Sequence, residues 1–480
     1  MTDVVSKLWG FCNTLRHDGI NYGDYIEQLT YLLFLKLADE KGLAVPPKYD
    51  WSSLREKSGT DLLDHYLAVL QVLGKQNVGA HGGAPNVANS HSPLQDIFAG
   101  ALSKFREPVN LKKLINLIDE TEWTALDVDL KGQAYEGLLQ KYAAEQKGAG
   151  QYFTPREAIR AIVRCVRPDI REGRDDSPNR LFTIHDPACG TGGFLIGAAE
   201  WLLKESRGRL SREDQERLQK RTFSGGELVL ETRRLALMNL YLHNLEARIR
   251  YGDSIAEGAP TQYNCILTNP PFGTKGAGEI PNRGDFTVAT SNKQLNFIQH
   301  VLTILKSGGR AAMVLPDNVL FEEHAGRDVR QILMKDCDLH TILRLPIGTF
   351  TPYSAGVKAN VLFFRKGMPT EQVWIYDLRT NVEKVTKRHS LDATYFADFE
   401  SVYHAKPRRE SERFHGFTRE QIAERDDNLD IFWLKDESLD DADNLPEPED
   451  LVSDAVTQLE TALDALNELA AQLGNGNGKK

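Results

Sequence analysis

The tetrapeptide Asn269-Pro270-Pro271-Phe272 follows an apolar run, residues 263–268, that reads as a β-strand. Pro271 fixes φ and Pro270 has no N–H, so this backbone is rigid and its carbonyls point away from any helix. Two acceptors result, the Asn269 side-chain oxygen and the Pro270 carbonyl. A planar amino group on a π-system can donate to both, which draws its lone pair out of conjugation and towards an incoming electrophile. Phe272 offers a face on which a base can stack, worth roughly 1–3 kcal/mol. Such alkylation of an amine requires no covalent nucleophile and no general base. None of the five cysteines follows a proline, so the Pro-Cys dipeptide of carbon-5 cytosine methylation is absent. A structural turn is the alternative reading of the tetrapeptide, and its place at a strand end favours the clamp.

Further upstream, a strand ending at Asp186 runs into Pro187-Ala188-Cys189-Gly190-Thr191-Gly192-Gly193, after which residues 196–203 look helical. Glycines in a strand-to-helix turn let the backbone approach a ligand closely. A dinucleotide fingerprint would place its third glycine where Leu195 stands, and a Walker lysine is missing. An acid precedes the turn instead, which suits a cationic or amine-bearing ligand better than a pyrophosphate. S-adenosylmethionine has an amino group, a sulfonium and an adenosine, and fits. A ribose-binding acid is expected at the end of the next strand, where Glu227 closes Phe223-Ser-Gly-Gly-Glu227, and Asp253 ends the strand after that, suited to face the adenine amino group. For both acids a helix N-cap is the alternative reading.

These residues need a scaffold. Short apolar runs at 181–186, 248–252, 263–268, 311–315, 339–345, 359–364 and 373–376 alternate with helical patterns. The alternation predicts βαβ units and a mostly parallel sheet. The last two runs leave little room for a helix and are expected to form an antiparallel pair at the end of the sheet. Residues 1–147 read as mainly helical: Ile26, Leu29, Leu33 and Leu37 recur at helical spacing after Asp24, a plausible N-cap, and Leu111, Leu114, Ile115 and Ile118 repeat the pattern. Residues 74–93 read as a surface loop; His81, His91 and the earlier His65 lack metal-ligand spacing and are expected as exposed loop residues. Near the end Val452, Val456, Leu459, Leu463, Leu466, Ala470 and Leu473 make an a/d seam over three heptads, facing either a partner helix or the same chain. The expected domains are 1–147, helical; 148–400, catalytic; and 401–480, a C-terminal helical tail.

Charge bears on partners. Over 480 residues, 58 Lys and Arg face 68 Asp and Glu, a net −10. Residues 424–450 hold twelve acidic and two basic side chains, so the rest of the chain is neutral. A neutral body with basic stretches such as 207–221 is compatible with DNA, but it would bind DNA weakly alone, because affinity scales with the phosphates neutralised. The five scattered cysteines contain no CxxC pair, and no signal peptide or membrane-length apolar run is evident. A cytoplasmic, reduced protein without a metal site is expected.

Together the glycine turn and the Asn-Pro-Pro-Phe motif resemble the class I S-adenosylmethionine methyltransferases that methylate amino groups of DNA. A third segment, Gln151-Tyr152-Phe153-Thr154-Pro155-Arg156, just before the first strand, makes the chain similar to the modification (M) subunit of type I restriction-modification systems. Further similarities are Gly308-Gly-Arg-Ala-Ala-Met-Val-Leu-Pro and Leu345-Pro-Ile-Gly-Thr-Phe, and the likeness spans nearly the whole chain; Gly226-Glu227 departs from the family's Gln-Glu. The resemblance implies a Rossmann-like α/β fold, with a mostly parallel sheet and a terminal antiparallel strand, between a helical N-terminal domain and a C-terminal helix. It implies that Gln151, Tyr152, Phe153, Thr154, Pro155 and Arg156 close over the cofactor. It gives Thr191, Gly192, Gly193 and Glu227 to cofactor binding, beside Gly190, Asp186 and Asp253 as read above, and Asn269, Pro270, Pro271 and Phe272 to catalysis. It implies adenine N6 as acceptor, flipped out of double-stranded DNA, with two M subunits on one specificity (S) subunit and a restriction (R) subunit joining for cleavage. Cytosine N4, RNA guanine N2 or a protein glutamine amide are alternative acceptors, and a non-enzymatic DNA-clamping scaffold is the alternative of another class.

Overall fold

The computed structural model describes residues 10–12, 15, 19–75, 93–125, 132, 135–140, 153–171, 182–258, 261–272, 279–351, 356–386 and 389–435, with positions 452, 456, 459 and 463. The helices before the sheet are α1 (Tyr22–Glu40), α2 (Trp51–Arg55), α3 (Gly59–Lys75), α4 (Pro93–Phe98), α5 (Pro108–Asp119) and α6 (Arg156–Val166). There follow β1 (Ile184–Asp186), α7 (Gly193–Ser206), α8 (Arg212–Lys220), β2 (Phe223–Glu227), α9 (Leu230–Leu242), β3 (Arg248–Tyr251) and β4 (Tyr263–Thr268). Next come α10 (Lys293–Ile304), β5 (Leu305–Pro316), α11 (Asn318–Phe321), α12 (Ala325–Asp336), β6 (Cys337–Arg344), β7 (Ala359–Lys366) and β8 (Gln372–Asp377). The last are α13 (Thr394–His404), β9 (Phe414–Thr418) and α14 (Arg419–Ala423). The chain divides into two compact units, 1–147 with 229–249, and 148–228 with 250–480.

The first unit is helical. Helix α1 begins earlier than expected: Asn21 is its N-cap, accepting from the Asp24 N–H at 2.9 Å, and Asp24 lies in the first turn, where its charge favours the exposed N–H groups. Ile26, Leu29, Leu33 and Leu37 are buried, as are Leu111, Leu114, Ile115 and Ile118 of α5. His65 lies in helix α3, not in a loop, with its Nε2 2.9 Å from Ser53 Oγ; His81 and His91 lie outside the described residues. Helix α9 also belongs to this unit although it sits between β2 and β3 in sequence. Its buried Arg233 is paired with Asp96 at 2.7 Å, and its buried Arg234 with Glu27. Breaking one partner of such a pair leaves an uncompensated buried charge, which costs about 3–5 kcal/mol.

The second unit is built on a nine-stranded sheet in the order β3-β2-β1-β4-β5-β7-β6-β8-β9. Strands β2, β1, β4 and β5 are parallel neighbours, and β7 runs antiparallel to both β5 and β6. The expected antiparallel pairing of the last two apolar runs is corrected. Strand β8 pairs parallel with β6, which lies between it and β7, and β9 pairs antiparallel with β8 at the edge. Residues 367–371 suffice for that step, since five extended residues reach about 16 Å and two strand spacings are about 10 Å. Ile266, Ile298, Met313, Leu333, Ile342 and Leu362 typify the core under the sheet's later half.

Strand β9 places part of the expected tail in the sheet, and part of the acidic segment is structural. Asp427 accepts from Gln331 at 2.6 Å, and Asp430 pairs with the buried Arg344 at 2.8 Å. In α8, Arg217 pairs with Glu213 and Lys220 with Glu216 at 3.2 Å, which reduces what this basic stretch offers to phosphates. Of the heptad seam, Val452, Val456, Leu459 and Leu463 are helical and 63, 47, 69 and 58% exposed; Leu466, Ala470 and Leu473 lie outside the described residues. No helix among the described residues is long and apolar enough to cross a membrane.

Candidate active site

The carboxyl ends of three adjacent parallel strands, β2, β1 and β4, carry Glu227, Asp186 and, one residue further, Asn269. After β1 the chain proceeds outward to β2 and then returns to β4 on the other side. Such a switch in strand order opens a crevice at the strand ends. The Asp186 carboxylate accepts from the Ala188 N–H at 3.0 Å, and Glu227 accepts from the Gly190 N–H at 3.0 Å. Gly190 and Gly192 take φ of +52° and +84°, a left-handed conformation that favours glycine, with Thr191 between them. Gly193 opens α7 against Ile159 of α6, where a Cβ would lie 2.9 Å from the Ile159 Cδ1.

The departure at Gly226 has a steric reason. A Cβ there would collide with the Ser254 Oγ and lie 3.1 Å from the Pro187 carbonyl oxygen, to which that hydroxyl donates at 2.7 Å. Ser254 is therefore a wall residue that the motif spacing did not single out. Asp253, just before it, is exposed, and its Oδ1 accepts from the Ile255 and Ala256 N–H groups at 2.8 and 3.3 Å. The carboxylate thus caps a turn, with no helix directly following it. Burial pushes the Asp186 carboxyl up to about 7; the Thr268 hydroxyl and the Ala188 N–H oppose the rise, and the Glu227 charge adds to it.

At the clamp, Asn269 Nδ2 donates to Thr154 Oγ1 at 2.9 Å. That bond fixes the amide so that Oδ1 is the remaining acceptor, and this oxygen is buried with no hydrogen-bond partner among the described residues. A buried acceptor left unmade costs about 1–3 kcal/mol, which a donor amine would relieve. Pro270 is buried and Pro271 half-buried, and the Phe272 ring meets Phe350 edge-on at 5.8 Å and 90°. Phe350 follows β6 in the segment Leu345-Pro-Ile-Gly-Thr-Phe350, and nothing in its spacing marked it as a neighbour of the clamp.

The upstream segment meets the site in part. Phe153, Thr154 and Pro155 lead into α6, with Thr154 on Asn269; Arg156 turns to Glu200 of α7 at 2.5 Å, and Gln151 and Tyr152 lie outside the described residues. Left-handed glycines, two buried carboxylates at adjacent strand ends and, beside them, an acceptor unpartnered among the described residues fit S-adenosylmethionine together with an amino-bearing base. No group of three or more His, Cys, Asp or Glu able to hold a metal occurs among the described residues.

The sheet and its glycine turn are those of a class I S-adenosylmethionine-dependent methyltransferase with an additional helical unit. The N-6 DNA Methylase family matches residues 126–437, and the HsdM N-terminal domain matches residues 4–44. The chain belongs to the N-6 DNA methylase family. It is 38% identical to the type I restriction enzyme StySPI methylase subunit of Salmonella potsdam, over 99% of this chain and 96% of that one. It is likewise 38% identical to the EcoKI methylase subunit of Escherichia coli K12, over 98% and 95%. Among solved structures, the EcoKI M protein superposes with a TM-score of 0.54 at 34% identity, covering 98% and 96%. A chain from a structure of complex assembly and conformational transition in a type I R-M system reaches 0.73 at 27%, covering 99% of each.

Proposed function

We infer that this chain is the modification subunit of a type I restriction-modification complex, an adenine-N6-specific DNA methyltransferase that uses S-adenosylmethionine. The observation that carries the reading is the buried Asn269 Oδ1 at the end of β4, without a hydrogen-bond partner among the described residues, beside the Asp186 and Glu227 strand ends. Bound S-adenosylmethionine supplies an electrophilic methyl group on a sulfonium. Gly190, Thr191, Gly192 and Gly193 line its approach, Glu227 holds the ribose hydroxyls, Asp253 faces the adenine amine, and Asp186 offers negative charge to the cation. Phe153, Thr154, Pro155 and Arg156 would cover the site.

The acceptor adenine is buried in a duplex stack and must be flipped out, at a cost of a few kcal/mol. Asn269 Oδ1 and the Pro270 carbonyl accept from its N6 amine, Pro271 keeps that backbone rigid, and Phe272 stacks on the base. These contacts would turn the nitrogen lone pair towards the methyl group that bound S-adenosylmethionine would supply. Orientation and hydrogen bonding supply the rate, without a covalent intermediate.

The protein works with other subunits. In this reading two copies join one specificity subunit, which selects the DNA sequence, and a restriction subunit joins for cleavage in the cytoplasm. The exposed Val452, Val456, Leu459 and Leu463 favour a partner helix over docking on the same chain. Co-expression with the specificity subunit, followed by mapping of modified bases in host DNA, tests the function. N6-methyladenine at one recurring sequence is expected; methyl groups on cytosine, RNA or protein would overturn it.

A further inference from the structure

The turn behind the cofactor wall is pinned from the segment that follows the clamp. Ser254, Ile255 and Glu257 direct their carbonyls at one guanidinium, that of Arg283: its Nη1 lies 3.2, 3.2 and 3.0 Å from them, and 3.0 Å from His300 Nδ1. Asp285 holds the other side of the fork, at 2.8 Å from Nε and 2.5 Å from Nη2, and the guanidinium lies 4.1 Å from the Phe286 ring centre. The Arg283 side chain is 1% exposed. His300 is buried on α10, and burial followed by the neighbouring Arg283 charge lowers it to about 3, so its Nδ1 can accept.

This arrangement does more than satisfy one arginine. The three carbonyls belong to the turn that Asp253 opens, and Ser254 in that turn bonds the Pro187 carbonyl of the glycine cradle. The same α10 carries Gln299, whose Oε1 accepts from the Thr287 and Val288 N–H groups at 3.0 and 2.8 Å, so the segment holding Arg283 is itself fixed to a helix. A planar fork of donors can meet several carbonyls and a carboxylate at once, which a lysine ammonium cannot reproduce.

We propose that Arg283 is a positioning residue for S-adenosylmethionine: by gathering the Ser254, Ile255 and Glu257 carbonyls it sets where Asp253 presents its carboxylate to the cofactor's adenine end. This rests on the Asp253 role proposed above. The test measures equilibrium binding of S-adenosylmethionine to the full chain and to its Arg283→Lys, Asp253→Asn and doubly substituted variants, with thermal unfolding as a check of folding. A displaced contact can cost up to about a hundredfold; Kd is expected to rise about tenfold in each single variant. Because both changes act through one contact, the double variant is expected within about twofold of Asp253→Asn alone. In methyl transfer by the complex with its specificity subunit, Arg283→Lys raises KM for S-adenosylmethionine and leaves kcat within about threefold of the native value.

Should Arg283→Lys not fold, Asp285→Asn loosens the same fork from a half-exposed position, and Kd is expected to rise about threefold, one neutral hydrogen bond's worth. Native affinity in Asp253→Asn overturns the Asp253 assignment and the route through it. A weakened Asp253→Asn with native affinity in Arg283→Lys or its substitute, multiplying effects in the double variant, or a loss confined to kcat overturns the role of Arg283 alone.

Discussion

The glycine cradle and the Asn-Pro-Pro-Phe clamp lie at the ends of neighbouring strands but differ in how complete they are. In the cradle, Asp186, Glu227 and Ser254 each bond a backbone group of the turn. At the clamp, the Asn269 amide is anchored by its nitrogen on Thr154 while its oxygen is buried and unpartnered among the described residues. The cradle's polar groups are thus paired within the turn, whereas the clamp holds an acceptor that no described residue completes. Preorganised polar groups act most strongly where water is excluded, and in the proposed function this asymmetry assigns the chemistry to the clamp and affinity for the cofactor to the cradle.

Changes at the two places should therefore separate rate from cofactor affinity. After Asn269 itself, the largest effect is expected from Phe272→Ala, which removes a stacking face worth roughly 1–3 kcal/mol; kcat/KM for DNA should fall by about ten- to a hundredfold with S-adenosylmethionine affinity unchanged, measured by labelled methyl transfer and calorimetry. At the cradle, Glu227→Gln weakens a charge-assisted hydrogen bond and should raise the Kd for S-adenosylmethionine by about tenfold, with little loss of rate at saturation. A Glu227 variant that lost rate but not affinity would break the division.

The pH dependence follows from Asp186. Its folded carboxyl titrates near 7 against 3.8 for an unperturbed one, so the folded protein holds a proton that the unfolded chain releases between those values. Stability from this group is therefore present at low pH and is lost as pH rises towards 7. A cationic cofactor favours the ionised carboxylate, so its binding releases the proton, and affinity should fall by up to about tenfold per unit as pH drops below 7. Calorimetry in buffers of different ionisation enthalpy measures the released proton, and Asp186→Asn should abolish it. The smallest effect belongs to Thr154→Val, which frees the Asn269 amide: about a three- to tenfold fall in kcat, one hydrogen bond's worth.

Much of this site was legible because its residues are consecutive. The runs Asp186 to Gly193 and Asn269 to Phe272 carry their own geometry, through positive-φ glycines and proline-locked backbone. Contacts made across the sheet left no such mark. Phe350 beside Phe272, Ser254 under Gly226 and Thr154 on Asn269 depend on register and loop path, which periodicity does not encode. The same limit explains the strand correction: hydrophobic runs identify β6, β7 and β8 but not that β7 inserts between β5 and β6. The local apolar pattern of α9 likewise gives no sign that its buried arginines seek Glu27 and Asp96 in the helical unit.

The most direct test is Asn269→Ala, assayed in the complex with its specificity subunit on target DNA. Removing one oriented polar group from a reaction centre costs about 10²–10³ in kcat, and a loss of at least that size is predicted, with the Kd for S-adenosylmethionine within about twofold of native. Native rates of adenine methylation, or loss of cofactor binding in place of rate, would contradict the account.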